Sequence, residues 1–158
     1  MAQQIVNVLW YPDKVEEAAR FYVSVFPNSR IDSVNVLPGD TPAGPEGAVI
    51  VVEFTLNGQQ FMAMQAGPLD TFNHAISQMI LCDTQAEIDH YWDKLGAGGT
   101  HEMCGWLKDK YGVFWQVTPR ALMEMEKDKD RTKARRVVEA MLKMRKLDIA
   151  ALKTAFDG

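Results

Sequence analysis

Ile5-Val-Asn-Val-Leu-Trp-Tyr-Pro-Asp-Lys-Val-Glu16 and Ile76-Ser-Gln-Met-Ile-Leu-Cys-Asp-Thr-Gln-Ala-Glu87 are the two stretches that decide the fold of this chain. In each, a short apolar segment precedes an aspartate or threonine that is followed three residues later by a glutamate. The apolar segment is typical of a buried strand, and the spacing of Asp13 to Glu16 or of Thr84 to Glu87 is typical of a capping box. The sequence therefore predicts the same strand and helix twice, about seventy residues apart.

The segments after each helix complete two similar halves. In the first half, Asn57-Gly58 separates two apolar runs and favours the positive backbone angles of a tight hairpin. The predicted elements there are strand Gln4–Trp10, a helix from Asp13, and strands Ile31–Leu37, Ala48–Leu56 and Gln59–Gln65. In the second half they are strand Ala75–Cys82, a helix from Thr84 that stops at Gly96, and strands Thr100–Cys104, Trp106–Lys108 and Val113–Thr118. The expected class is α+β.

After Pro119 the pattern changes to helices. The predicted helices are Ala121–Glu126, Arg131–Lys146 and a last one capped by Asp148. Residues 127–158 hold ten of the seventeen basic residues and five of the acidic ones, so this tail carries +5 and the remainder −9. Its valines and methionines form an apolar stripe, which indicates a docked helix with a solvated basic face. Binding of nucleic acid is therefore not expected.

Composition bounds the remaining possibilities. With 158 residues and 47% hydrophobic content, the chain is long enough for one sizeable core. Two lone cysteines, Cys82 and Cys104, indicate a reducing compartment, and no signal peptide or apolar run of membrane-spanning length is visible. We therefore expect a cytoplasmic protein without membrane contact.

Two segments resemble a known family. They are Glu16-Glu-Ala-Ala-Arg-Phe-Tyr-Val-Ser-Val-Phe-Pro-Asn-Ser-Arg-Ile31 and Cys104-Gly-Trp-Leu-Lys-Asp-Lys-Tyr-Gly-Val-Phe-Trp-Gln-Val117. Both are similar to the PhnB-like family, also called the 3-demethylubiquinone-9 3-methyltransferase domain, of the vicinal oxygen chelate (glyoxalase, bleomycin resistance and dioxygenase) superfamily. The resemblance implies a domain over residues 1–119 with paired βαβββ modules, about 4–66 and 74–118, in a curved mixed sheet around a cavity. Residues 120–158 would then pack on this domain or on a dimer partner.

The resemblance also places the ligands of the metal-using relatives. They fall on Asn7, Ser77 and Gln116, with the fourth on Met64 or Gln65. Neutral amide and hydroxyl oxygens bind divalent transition ions poorly without a charged or imidazole partner. We therefore predict no metal and no cofactor, and a divalent ion only if the strand register differs from this alignment.

The remaining candidate groups are weaker. His74, His90 and His101 are each isolated in the sequence, and a lone histidine is more often a surface or core residue than a ligand. The run Gly96-Ala-Gly-Gly99 follows a helix, whereas a Rossmann-type methyltransferase has its glycine-rich turn after a strand. These glycines indicate a helix stop and a chain reversal, and the methyltransferase name is weak evidence of activity.

The predicted cavity has mixed apolar and polar character. Its proposed lining is Asn7, Gln65, Ser77, Gln116, Phe114, Trp106 and Tyr111. Asparagine and glutamine supply directional hydrogen bonds, and the aromatic rings supply stacking, so a small and mainly uncharged ring or acyl compound would fit. The alternative interpretation is that these polar groups satisfy one another inside a half-buried sheet.

Three functions remain open. The first is a metal-independent small-molecule-binding homodimer, of resistance or sequestration type, whose cleft is partly closed by the Pro- and Gly-rich loop 38–47. The second is an enzyme of the same superfamily, a lyase, isomerase or oxygenase, that acts on a small carbonyl or aromatic metabolite. The third is a regulatory or structural dimer without a ligand.

Overall fold

The computed structural model describes residue 3 and residues 5–68 and 70–158. The chain divides into two compact units, one ending at Asp70 and the other running from Thr71 to Gly158. Each unit holds one mixed sheet of four strands, and the second also holds the C-terminal helices. The predicted α+β class, with two strand–helix–three-strand modules and a helical tail, is confirmed.

The first unit follows the predicted order of elements. They are β1 (Asn7–Tyr11), α1 (Val15–Val25), β2 (Arg30–Val36), β3 (Ile50–Leu56) and β4 (Gln59–Gln65). The sheet order is β1-β4-β3-β2, with β1 parallel to β4 and the other pairs antiparallel. The hairpin at Asn57-Gly58 has positive φ at both residues, 46° and 86°, as the sequence predicts. Gln4, predicted to begin the first strand, lies outside the described residues.

The start of α1 differs from the prediction. Asp13 does not cap this helix, because the residue before Val15 is Lys14, which has a left-handed backbone (φ 55°) and no side-chain cap bond. The Val15 N–H donates instead to the side-chain oxygen of Gln65, at 3.3 Å. The strand β1 continues through Tyr11, so the N-cap is Lys14, one residue after the predicted Asp13, and the helix takes its first acceptor from β4.

The core of the first unit lies between α1 and one face of its sheet. Tyr22 of α1 stacks on Phe54 with a centroid distance of 6.4 Å, and Phe54 stacks on Phe61 at 5.5 Å. The hydroxyls of Tyr11 and Tyr22 lie 3.2 Å apart in the same buried layer. Because strand residues alternate between faces, the neighbours of these residues point away from α1. We call that side of a sheet, turned away from its own helix, the far face.

The second unit repeats this plan. Its elements are β5 (Gln78–Cys82), α2 (Gln85–Gly96), β6 (Thr100–His101), β7 (Trp106–Lys108) and β8 (Phe114–Pro119), with sheet order β5-β8-β7-β6. Thr84 and Glu87 form the predicted capping box, in which each side chain accepts from the other residue's backbone N–H. On the covered face, Trp92 of α2 stacks on His101 at 4.5 Å.

The glycine run after α2 is structural, as the sequence indicates. The helix ends at Gly96, Gly98 has a left-handed backbone (φ 76°), and the Gly99 N–H donates to the Gly96 carbonyl at 3.0 Å. A side chain at Gly99 would clash with the Lys108 carbonyl oxygen. This run is a chain reversal packed against β7.

The tail forms α3 (Arg120–Glu126), α4 (Arg131–Met141) and α5 (Ile149–Asp157), and Asp148 caps α5 as predicted. Helix α4 ends at Met141 and not at Lys146. The reason is that the following segment turns its carbonyls outward: the N–H groups of Cys104 and Gly105 donate to Met144 and Arg145 at 2.7 and 2.8 Å. Those bonds replace the last helical turn.

The tail packs within the second unit. Leu122, Val137, Leu147 and Leu152 form a buried apolar cluster between its helices. Gln85 of α2 donates to the Leu147 carbonyl and accepts from the Ile149 N–H, at 3.1 and 3.0 Å. Lys146 binds Asp89 at 3.1 Å, and hydrogen bonds from Lys146 and Gln85 lower the pKa of the Asp89 carboxyl. Among the described residues, no helix is long and apolar enough to cross a membrane.

Candidate functional site

The far face of the first sheet borders a concavity of about 550 Å³. Trp10 of β1 and Met64 of β4 are cross-strand partners on this face and form its floor. The lining that defines its chemistry is Trp10, Leu37, Pro42, Val49, Met64 and Pro68. Because these side chains are apolar, the concavity suits an uncharged ligand.

Two features hold the concavity in shape. The Trp10 indole N–H donates to the Gly67 carbonyl oxygen at 2.9 Å, which fixes the plane of the ring. Thr41 and Gly44 form a backbone bridge within loop 38–47, and the Asp40 carboxylate accepts from the Glu46 N–H at 3.1 Å. Thr41, Pro42 and Ala43 of this loop reach the concavity. Loop 38–47 therefore forms part of the wall of this concavity.

Asn7 and Gln65 do not take part in this lining. Leu9 and Tyr11 are buried toward α1, and strand alternation puts Asn7 on the same face. Gln65 is also on that face, where it accepts from the Val15 N–H. Met64, the alternative to Gln65 for the fourth position, is in the lining, and so is Trp10, which sequence reasoning did not select. Tyr11 is the residue in the sequence that could have indicated the facing of β1. Its aromatic side chain anchors the end of this strand to α1, so Trp10 points to the opposite face.

The second unit brings four predicted residues together. Trp106 and Gln116 are cross-strand partners on the far face of the sheet, and Phe114 is on the same side of β8. The Gln116 amide donates to the Ser77 hydroxyl oxygen at 2.8 Å. Tyr111 lies apart, in the turn before β8, where its backbone N–H donates to Asp109 and the Lys110 ammonium is 5.0 Å from its ring centroid.

These residues do not fit a divalent metal centre. Ser77 and Gln116 are neutral and hydrogen-bond to each other, and Gln65 is engaged at the start of α1. Within residues 3, 5–68 and 70–158, no three His, Cys, Asp or Glu side chains converge as metal ligands would. Transition ions in proteins are held mainly by thiolate, imidazole and carboxylate groups.

His74, which the sequence indicates to be an isolated surface or core residue, contacts the aromatic residues of this far face. Its Nε2 lies 2.8 Å from an Oε atom of Glu102, and its ring centroid lies 4.0 Å from that of Phe114 and 5.7 Å from that of Trp106. The other two histidines lie elsewhere. His101 is packed under Trp92, and His90 meets the edge of Tyr91 on α2.

Cys82 is not placed as an activated nucleophile. Cys82 is buried, and that burial, with Glu87 and Asp83 nearby, raises the pKa of its thiol to about 12. Cys104 has a left-handed backbone (φ 59°), and its N–H is bound to the Met144 carbonyl. Both thiols are free of disulfide bonds.

Comparison with known proteins gives a family match. The sequence profile of 3-demethylubiquinone-9 3-methyltransferase matches residues 3–118. A PhnB protein from Bacillus cereus, provisionally described as such a methyltransferase, is 40% identical, with 74% of this chain and 99% of that chain covered and a TM-score of 0.65.

Two more distant structures share the fold. Protein PA1353 from Pseudomonas aeruginosa is 24% identical, with 75% and 98% coverage and a TM-score of 0.59. The fosfomycin resistance protein FosX from Mesorhizobium loti is 15% identical, with 73% and 89% coverage and a TM-score of 0.51. Among curated proteins, none matches this chain.

Proposed function

Because this chain belongs to the 3-demethylubiquinone-9 3-methyltransferase (PhnB-like) family of the vicinal oxygen chelate superfamily, we propose that it is a small-molecule-binding protein that needs no metal ion. Its role would be of sequestration or resistance type. The observation that carries the proposal is the apolar concavity on the far face of the first sheet, with Trp10 as its floor.

The chemistry of the lining selects the ligand class. Apart from Thr41, whose hydroxyl donates to the Gly44 carbonyl, the side chains that line the concavity are apolar, so a charged ligand would lose its hydration without gaining a charged partner. The flat indole of Trp10 offers a stacking surface, and its N–H is already bound to Gly67. The ligand is therefore a small, uncharged compound with an aromatic ring or an apolar acyl chain.

Metal independence is supported by the side chains at the positions that align with the metal ligands of the metal-using relatives. Ser77 and Gln116 satisfy each other with one hydrogen bond, and Gln65 is occupied by the first backbone N–H of α1. No imidazole or carboxylate stands at these positions. Binding would instead depend on burial of apolar surface.

A thermal-shift screen of small aromatic and acyl compounds, followed by calorimetry on the best hit, tests this proposal. Replacing Trp10 by alanine removes the floor of the concavity, so the Kd of the hit should rise about tenfold or more. Tyr91→Ala is the matched control, since it removes a half-buried aromatic side chain from α2 of the other unit, outside the predicted cavity lining, and should leave this Kd unchanged. An unchanged Kd in Trp10→Ala would contradict the assignment, as would stoichiometric metal lost on Gln116→Ala.

We also propose that the protein works as a homodimer. Each unit exposes large apolar side chains: Val8 and Val36 are 54% and 56% exposed, and Ile76 and Met79 are 64% and 45% exposed. Such surfaces are common at protein interfaces. Sedimentation velocity should give a dimer mass at micromolar concentration, and a single monomeric species over the whole concentration range would refute this part of the proposal.

A further inference from the structure

We propose a second ligand site on the far face of the second sheet, where His74 and Glu102 act as an acid–base pair that binds the hydroxyl group of a small phenol. The site is formed within residues 71–158 and does not depend on the concavity beside Trp10. Its components are the His74–Glu102 hydrogen bond and the aromatic rings of Phe114 and Trp106.

The hydrogen bond fixes the chemistry of the imidazole. An ionised Glu102 carboxylate only accepts, so the Nε2 atom of a neutral His74, 2.8 Å away, must carry the proton. The lone pair is then on Nδ1, which becomes an acceptor for a ligand hydroxyl. A carboxylate that orients an imidazole in this way is the usual arrangement of a histidine general base.

Both partners are held by the backbone. The Glu102 N–H donates to the Trp106 carbonyl at 2.8 Å, which ties the carboxylate to the connection between β6 and β7. On the other side, the Asn73 side chain accepts from the Ala75 N–H at 2.8 Å and closes a turn around His74. The pair is therefore formed before any ligand arrives, which lowers the entropic cost of binding.

The aromatic neighbours explain why the ligand should be a ring. His74 is 59% exposed, and the rings of Phe114 and Trp106 lie within 4.0 and 5.7 Å of its own. Phe114 is buried and supports the imidazole from below, whereas Trp106 is only partly buried and offers a surface for stacking. A phenol can place its ring against Trp106 while its hydroxyl reaches His74.

The proton balance of this interaction is simple. The phenol O–H proton moves to Nδ1, the O–H electron pair stays on oxygen as phenolate, and His74 becomes an imidazolium whose charge Glu102 compensates. No oxidant or further reactant takes part. The bound phenol is therefore more ionised than the free phenol at the same pH.

The visible absorption of para-nitrophenol, which reports phenolate directly, tests the proposal. At a pH of about 7, above the ordinary histidine pKa of about 6.5, titration with the wild-type protein should give a saturable increase in phenolate absorption. His74→Gln should abolish that increase, and Glu102→Gln should weaken the apparent affinity about tenfold, the effect of losing one charge-assisted hydrogen bond. His90→Gln changes an exposed histidine of α2 and should bind as the wild type does.

The experiment distinguishes an error in this proposal from an error in the proposal of ligand binding beside Trp10. If the wild type gives no increase in phenolate, or if His74→Gln retains it, the proposal is wrong. Loss of the signal in Trp10→Ala together with retention in His74→Gln would also overturn it, because the phenol would then bind in the concavity of the first unit. Circular dichroism of His74→Gln should match the wild type, since the side chain is mostly exposed.

Discussion

Replacing Gly105 by alanine is expected to destabilise the protein by about 3 kcal/mol, combining the strain of a left-handed backbone with that of an overpacked site. Gly105 has φ +79°, and a methyl group there would lie 2.6 Å from the Val117 carbonyl oxygen and 3.0 Å from a methyl carbon of Leu147. Neither neighbour moves easily, because the first is backbone of β8 and the second belongs to the buried cluster of the tail.

The backbone around Gly105 is held on both sides. Its N–H donates to the Arg145 carbonyl and its own carbonyl accepts from the Val117 N–H, each at 2.8 Å. A shift that relieves the clash would therefore break one of these bonds. Since the first bond connects the tail to the sheet, we expect the variant to loosen residues 142–158 before the sheet itself unfolds.

Gly39→Ala is the matched control for this prediction. Gly39 has nearly the same backbone angle, φ +77°, but no atom lies within 4 Å of the added methyl. Gly39→Ala should lower the free energy of unfolding by about 1 kcal/mol, the cost of a left-handed backbone alone. Urea denaturation followed by tryptophan fluorescence gives both values. Equal losses in the two variants would show that the contacts with Val117 and Leu147 do not matter.

The modules were predictable because local signals agreed with the tertiary structure. Asn57-Gly58 needs only its own backbone to form a hairpin, and Thr84 with Glu87 completes its capping box within one turn. Asp13 and Glu16 have the same spacing, yet the cap fails because Gln65, fifty residues away in sequence, supplies the acceptor. Such a partner leaves no trace in the local pattern.

The difference between local signals and partners distant in sequence also explains which site residues could be predicted. In the second unit, one face of the sheet holds four of the predicted residues: Ser77, Gln116, Phe114 and Trp106. Counting along β8 from Gly112 places Gln116 on this face, because the glycine turn fixes where the strand begins. In the first unit, the bond between Tyr11 and Tyr22 holds the opposite face of β1 against α1, so Trp10 replaces Asn7 at the concavity. The pairing of His74 with Glu102 was not predicted, because Glu102 is twenty-eight residues away and its position depends on the turn before β7.

Replacing Asp109 by alanine is expected to have the largest effect on stability, about 4 kcal/mol, because a buried carboxylate with several hydrogen bonds is lost. Asp109 is only 2% exposed. One of its oxygens accepts from the N–H groups of Tyr111 and Val113, at 2.8 and 3.0 Å, and the other accepts from the Trp115 indole N–H at 2.7 Å. Alanine would leave three donors without this acceptor.

The side chain holds the whole turn between β7 and β8. The backbone N–H of Asp109 also donates to the Val113 carbonyl, and its backbone carbonyl accepts from the Gly112 N–H. The side chain and the backbone of Asp109 therefore close the same loop. That loop sets the register in which Trp106 lies opposite Gln116. Loss of Asp109 should therefore weaken phenol binding at His74 as well as the stability of the second sheet.

Two further variants separate the causes of the Asp109 effect. Asp109→Asn keeps an oxygen for Tyr111 and Val113 but turns an NH2 group toward the Trp115 N–H, so its cost should be intermediate, about 2 kcal/mol. Asp40→Ala removes an exposed carboxylate with one bond, to the Glu46 N–H, and should cost less than about 1 kcal/mol. Chemical denaturation gives all three values. If Asp109→Ala proved no more costly than Asp40→Ala, the buried carboxylate would not be what holds this turn.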